Sequence, residues 1–282
     1  MSRRLLPLLL CLCALTGTAA PAARVVSQTV GSDELLLAVA APGQIAALSH
    51  LASDPAFSGV AREAAAHPRI TLGDAETILR FLPTLALFAD YSRVELVEQV
   101  RRAGVEVMIF DRYKTLEDAH ANLRRLAAEL GSDAEARAER IVNSDTARLA
   151  ALREKLARAK PVRVIAPSTY GVIAGGGTTF QDLCDRAAAE NLAATLGGLR
   201  GHAAPPGERL LMWPIDRVVL AGETVGAALA PYRRLPPYQF MPAVREGRAA
   251  VVPGWMLGCV SHLRVEAYEA LARALHPELF AE

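Results

Sequence analysis

At 282 residues, 52% of them apolar, the chain has room for one large domain or two small ones around a sizeable core. Its formal net charge of +1 leaves no electrostatic footprint for nucleic acid or an anionic membrane, so neither is expected as a partner.

Residues 1–22 read as a secretory signal peptide. Arg3 and Arg4 precede an apolar run from Leu5 to Leu15, and small residues lead to an A-x-A-like site at Ala20-Pro21-Ala22. A spanning helix takes about 20 apolar residues, and this run is shorter. An uncleaved anchor is the alternative. A lipid anchor would need a small-residue pair before Cys11 or Cys13, where the chain has Leu9-Leu10 and Cys11-Leu12. A soluble, monomeric protein of the periplasm is therefore expected. Cleavage would remove Cys11 and Cys13 and leave Cys184 and Cys259; export permits a disulfide between them, but spacing does not supply its geometry.

Residues 23–131 read as an N-terminal α/β lobe. Strands are predicted at Val25–Ser27, Ile45–Leu48, Thr84–Phe88 and Val105–Phe110. Helices are predicted between and after them, at Asp33–Ala41, Phe57–His67, Ala75–Leu82, Arg93–Ala103 and Thr115–Leu130. Strands alternating with helices give βαβ units and a mainly parallel sheet. Asp133 to Lys160 then runs without glycine or proline until Pro161, with Ile141, Leu149, Leu152 and Leu156 as an apolar stripe. A helix of about 26 residues is about 39 Å long, which suits a rigid backbone joining two lobes (132–160); a surface helix within one domain is the alternative. The C-terminal lobe, 161–282, repeats the logic. It has strands at Val162–Ala166, Arg217–Leu220 and Ala249–Val252 and helices at Thr178–Leu196 and Ser261–Leu275. The fold class expected is thus α/β, two Rossmann-like lobes joined by one long helix. A weak internal repeat agrees: Ile78–Pro83 leads into the apolar Leu85–Phe88, and Leu210–Pro214 leads into Val218–Leu220.

Catalytic signatures are missing from the sequence. There is no H-E-x-x-H, the six histidines have no ligand spacing, and no G-x-S-x-G occurs. Gly175-Gly176-Gly177-Thr178 lacks the endings of a phosphate loop and reads as a turn before a helix cap. No cofactor or metal site is expected.

Open parallel sheets bind ligands at the carboxyl ends of their strands. That rule selects Gln28, Thr29, Ser32, Asp33, Ser49, His50, Tyr91, Ser92, Arg112 and Tyr113 in the first lobe. In the second it selects Ser168, Thr169, Tyr170, Trp255 and Met256. The ligand-binding set put forward is Ser32, Asp33, His50, Tyr91, Tyr113, Tyr170 and Trp255. Four of these are aromatic in a chain with few aromatics, which suits a large, rigid organic ligand better than a bare ion. Helix capping alone is the competing account of Ser32 or Asp33.

Arg24–Ala41 (RVVSQTVGSDELLLAVAA), Ile45–Ser49 and Ser53-Asp54-Pro55 resemble the opening of periplasmic binding proteins for cobalamin and ferric siderophores. Glu76–Leu87, Gly104–Val107, Glu190–Ala193 and Gly247–Pro253 are similar to further segments of that family, in the same order. The resemblance implies capture of a metal chelate or corrinoid (a cobalamin, a ferric siderophore or a haem) and its delivery to an ABC importer permease. It also implies one docking glutamate per lobe. Glu76 matches the first. The position matching the second is Gly207, with Glu208 one residue late, and Thr84 stands where the family has aspartate. Two alternatives stay open: a bare-metal-ion binding protein, and a cofactor-dependent enzyme on the same two lobes.

Overall fold

The computed structural model describes residues 23–281; the segment read as a signal peptide lies outside the described residues. Short runs, mostly apolar and buried throughout in the first three strands, pair as two parallel four-stranded sheets. The first sheet holds β1 (Val25–Ser27), β2 (Ile45–Ala47), β3 (Leu85–Ala89) and β4 (Glu106–Phe110), in the order β2-β1-β3-β4. Around it pack α1 (Val30–Val39), α2 (Ala61–Ala64), α3 (Ala75–Leu79), α4 (Val94–Arg102) and α5 (Leu116–Leu130). Then comes α6 (Ser132–Leu156).

The second lobe carries β5 (Val162–Ile165), β6 (Ile173–Ala174), α7 (Thr179–Arg186), β7 (Ala189–Asn191), α8 (Leu192–Thr195), β8 (His202–Ala203) and β9 (Arg217–Ala221). It ends with α9 (Val225–Leu229), α10 (Pro242–Arg245), β10 (Ala249–Val252), α11 (Gly254–Leu257) and α12 (Arg264–Leu275). Its main sheet runs β10-β9-β5-β7, and β6 pairs with β8 in a small antiparallel ribbon. In each main sheet the chain-order second strand is at one edge, next to the first, then the third and the fourth. The two segments read as an internal repeat both end in a proline ahead of the third strand, β3 or β9.

The long helix α6 serves both cores. Ala134, Ala138 and Val142 are buried with the apolar residues of α1 and α5, whereas Leu152 and Leu156 are buried with β5, α7 and α12. That two-sided burial is what a joining helix requires.

Several expected elements come out differently. The helix predicted over Phe57–His67 shrinks to Ala61–Ala64, because side chains take the donors of the preceding turns: Ala56 N–H reaches Asp54 at 2.9 Å and Gly59 N–H reaches Glu34 at 3.0 Å. The helix predicted over Thr178–Leu196 is three elements. Ala188 turns to φ 50°, which ends the helical run, and residues 189–191 pair with β5 as the edge strand β7. The last long helix starts at Arg264 rather than Ser261. Cys184 and Cys259 are both buried and free, so the disulfide that export would permit is not formed.

Candidate ligand-binding site

A cavity of about 390 Å³ opens at the carboxyl ends of β1, β2 and β3, with the segment after β10 closing its far side. Each wall follows from a strand that has just ended. After β1, Gln28, Thr29 and Gly31 line it, with Glu34 one turn into α1. After β2 come Ser49, His50 and Phe57; after β3 come Tyr91, Ser92 and Arg93. The second lobe supplies Trp255, Cys259 and Val260. The volume falls within the range of small-molecule pockets.

The loops are held by local hydrogen bonds. Thr29 caps α1, its hydroxyl accepting from Ser32 N–H, while the Ser32 hydroxyl lies 2.7 Å from that of Ser27. Ser92 donates to the Gln28 side chain at 2.8 Å, tying the β3 loop to the β1 loop. His50 is exposed and Tyr91 is 67% exposed, both facing open space at the cavity wall. Trp255 is half-buried, because the N-terminal lobe reaches it: a methyl added at Gly59 would stand 3.0 Å from the indole.

Two adjacent acids of α1 sit under this wall. Asp33 is wholly buried and accepts Ser49 N–H at 3.0 Å and the Ser49 hydroxyl. Burial pushes its carboxyl up to about 7, against the pull of those hydrogen bonds. Glu34, also buried, accepts Gly59 N–H and faces Cys259 at 3.9 Å across the lobe boundary; burial raises its pKa too. The Cys259 thiol is pushed up to about 12 by burial and by Glu34, so it stays a neutral thiol rather than a reactive thiolate.

The structure brings His50, Tyr91 and Trp255 of the expected set together in this cavity. Ser32 and Asp33 are buried and do not line it: Ser32 completes the helix cap and Asp33 holds the Ser49-His50 turn. Tyr113 stands behind the wall. Its ring meets Tyr91 edge-on at 6.1 Å, and its hydroxyl donates to Asp90 at 3.0 Å, with burial pushing the phenol up to about 12. Tyr170 is 92% exposed and lies outside the cavity. Glu76 is an exposed residue of the first turn of α3, paired with Arg80 at 2.8 Å, and Glu208 is exposed in the short helical turn Gly207–Met212.

Sequence reasoning missed Glu34, Phe57 and Arg93. Glu34 and Arg93 each adjoin a chosen candidate, so a wider window after each strand would have found them. Phe57 was hidden in a helix that does not form. Among the described residues, no group of three or more His, Cys, Asp or Glu side chains is placed to hold a metal ion, and no helix is long and apolar enough to cross a membrane.

Against this geometry, the profile of a family described as periplasmic binding protein matches residues 25–254, most of the chain and both sheets. The chain belongs to that family. This periplasmic binding protein also matches solved structures over most of its length. A periplasmic haem-binding protein from Roseiflexus sp. RS-1, in its apo form, superposes with a TM-score of 0.78 at 22% identity, covering 92% of this chain and 99% of that one. A periplasmic haem-binding protein from Pseudomonas aeruginosa gives 0.77 at 22%, covering 91% and 93%. The periplasmic vitamin B12-binding protein of Vibrio cholerae gives 0.71 at 17%, covering 93% and 99%. At these identities the likeness is one of fold. No curated protein matches the sequence. Family and fold make the chain a solute-binding protein of two α/β lobes, with its cavity where such folds place ligands.

Proposed function

We propose that this protein captures a flat metal chelate or corrinoid, with haem the first candidate, in the cavity between the lobes, and delivers it to an ABC importer in the periplasm. The observation that carries the reading is the convergence of His50, Phe57, Tyr91 and Trp255 on one cavity from three separate chain segments, those after β2, β3 and β10. Aromatic faces supply stacking area at low entropic cost, and histidine and tyrosine are both among the protein ligands that haem iron takes. Structural neighbours named for haem and vitamin B12 binding support the same ligand class. Glu76 and Glu208, exposed in the segments ahead of β3 and β9, are the residues proposed to meet the importer.

Absorbance and tryptophan-fluorescence titrations with ferric haem, cobalamin and a ferric hydroxamate siderophore test the proposal. Saturable, one-to-one binding of one of the three with a spectral shift is expected. If none binds at concentrations of tens of micromolar, where periplasmic capture would already be futile, the ligand class is wrong.

A further inference from the structure

Among the described residues, Arg264 is the largest fully buried side chain, only 1% exposed, and it sits where local physics disfavours it. It is the first residue of α12, and the amino end of a helix repels a cation. Its Nε also lacks a partner, a further cost in a buried position. Something other than helix formation therefore keeps a guanidinium there.

Its four hydrogen bonds say what. One terminal nitrogen donates to the backbone carbonyl of Tyr113 at 2.9 Å and to that of Cys259 at 2.7 Å. The other donates to the carbonyl of Lys114 and to the Asp182 carboxylate at 3.0 Å. Tyr113 and Lys114 belong to the first lobe, following β4; Cys259 and Asp182 belong to the second. The Tyr113 ring backs Tyr91 on one cavity wall, and Cys259 is part of the opposite wall. One buried, planar fork thus joins both walls. The same boundary is closely packed beside it, since a methyl added at Gly31 would run into the side chain of Val260.

We propose that Arg264 is the positioning residue that sets the spacing of the two cavity walls, and so presents Tyr91 to the ligand. Its role as a clamp between lobes is independent of ligand; its effect on affinity rests on the reading of the cavity given above. Lysine would not replace it, because a single ammonium cannot reach four acceptors in a fixed plane. Asp182, held also by the Tyr268 hydroxyl, is the countercharge that makes the buried cation tolerable.

The test uses Arg264→Lys and Arg264→Met, with Glu117→Gln, the exposed member of the interlobe pair Arg186–Glu117, as control. Spin labels on Ala66→Cys and Ala227→Cys, exposed sites in opposite lobes, report the lobe distance without any ligand. The parent and the control should give one narrow distribution, and the folded Arg264 variants a broader or shifted one. Haem affinity of those variants, measured well below their melting temperatures, should fall by roughly tenfold or more, mostly through faster dissociation, because preorganisation is lost. A staple serving stability alone would lower melting but leave distance and affinity unchanged, and that result overturns the proposal. Broadened distances with unchanged affinity would overturn the positioning of Tyr91. Failure of the parent to bind haem, cobalamin or the siderophore would reject the ligand reading instead, while the distance measurement still decides the clamp. Should neither variant fold, nitrogen NMR of the parent decides it: a pinned guanidinium gives resolved, slowly rotating terminal N–H resonances, and averaged ones would refute the clamp.

Discussion

The acid beneath the cavity gives the sharpest test of the electrostatics. Asp33 is wholly buried, and burial pushes its carboxyl from 3.8 to about 7. Below pH 3.8 the group is protonated in both folded and unfolded chains. As pH rises from there to about 7, the unfolded chain releases the proton while the folded chain keeps it, so stability contributed at low pH is progressively lost. At 1.36 kcal/mol for each pH unit between those two values, the loss comes to roughly 4 kcal/mol. Asp33→Asn should remove it without disturbing the turn. The amide oxygen can accept Ser49 N–H, and the amide nitrogen can donate to the Ser49 hydroxyl, the two positions the carboxyl now occupies. Urea unfolding of parent and variant, followed by circular dichroism at pH 4 and pH 7.5 in matched salt, measures the difference directly. The variant should gain on the parent by roughly 4 kcal/mol between those pH values. Taking the difference between the two proteins cancels groups common to both, including Glu34, which shifts in the same direction, and His262, which shifts in the opposite one. A difference that stays flat across the window refutes the assignment of a buried, protonated Asp33.

Burial holds His262 down to about 4, so it stays neutral in the folded chain while the unfolded chain binds a proton below pH 6.5. His262→Gln should therefore retain more of its stability than the parent as pH falls from 6.5 to 4, seen as a shallower drop in melting temperature. Trp255→Ala should weaken binding of the haem-like ligand by about 1 kcal/mol or more, several-fold in Kd, and abolish most ligand-dependent fluorescence change. Equal affinity in a folded variant would take Trp255 out of the contact set. Glu76→Ala breaks only an exposed, solvent-screened pair with Arg80, so melting and ligand affinity should hardly move. Ligand-stimulated ATP hydrolysis by the importer in vesicles should drop sharply; normal stimulation would reject the docking role, and loss of ligand binding would place Glu76 in the cavity.

The sequence by itself determined the order of elements in the first lobe, because β1, β2 and β3 are runs apolar but for Ser27, with well-capped helices between them. It also determined the joining helix, whose apolar residues recur along one stripe with nothing to break them before Pro161. The rule of strand ends located seven cavity residues, Gln28, Thr29, Ser49, His50, Tyr91, Ser92 and Trp255, since chain position alone says which loops gather at that end of a parallel sheet. Tertiary structure decided the rest. The three residues of β7 carry no strand signal of their own, and pairing with β5 overrides the helical pattern around them. Local pattern cannot say which side of a loop turns inward, so only the packed protein separates Tyr91, on the wall, from Tyr113 behind it, and both from the exposed Tyr170. Asp33 and His50 looked alike as polar residues after strands, yet one is a buried support and the other an exposed wall group. Arg264 could not be read from sequence at all. Three of its four acceptors are distant in sequence, two carbonyls about 150 residues upstream and a carboxylate about 80 upstream, and backbone carbonyls leave no residue-specific mark in a sequence.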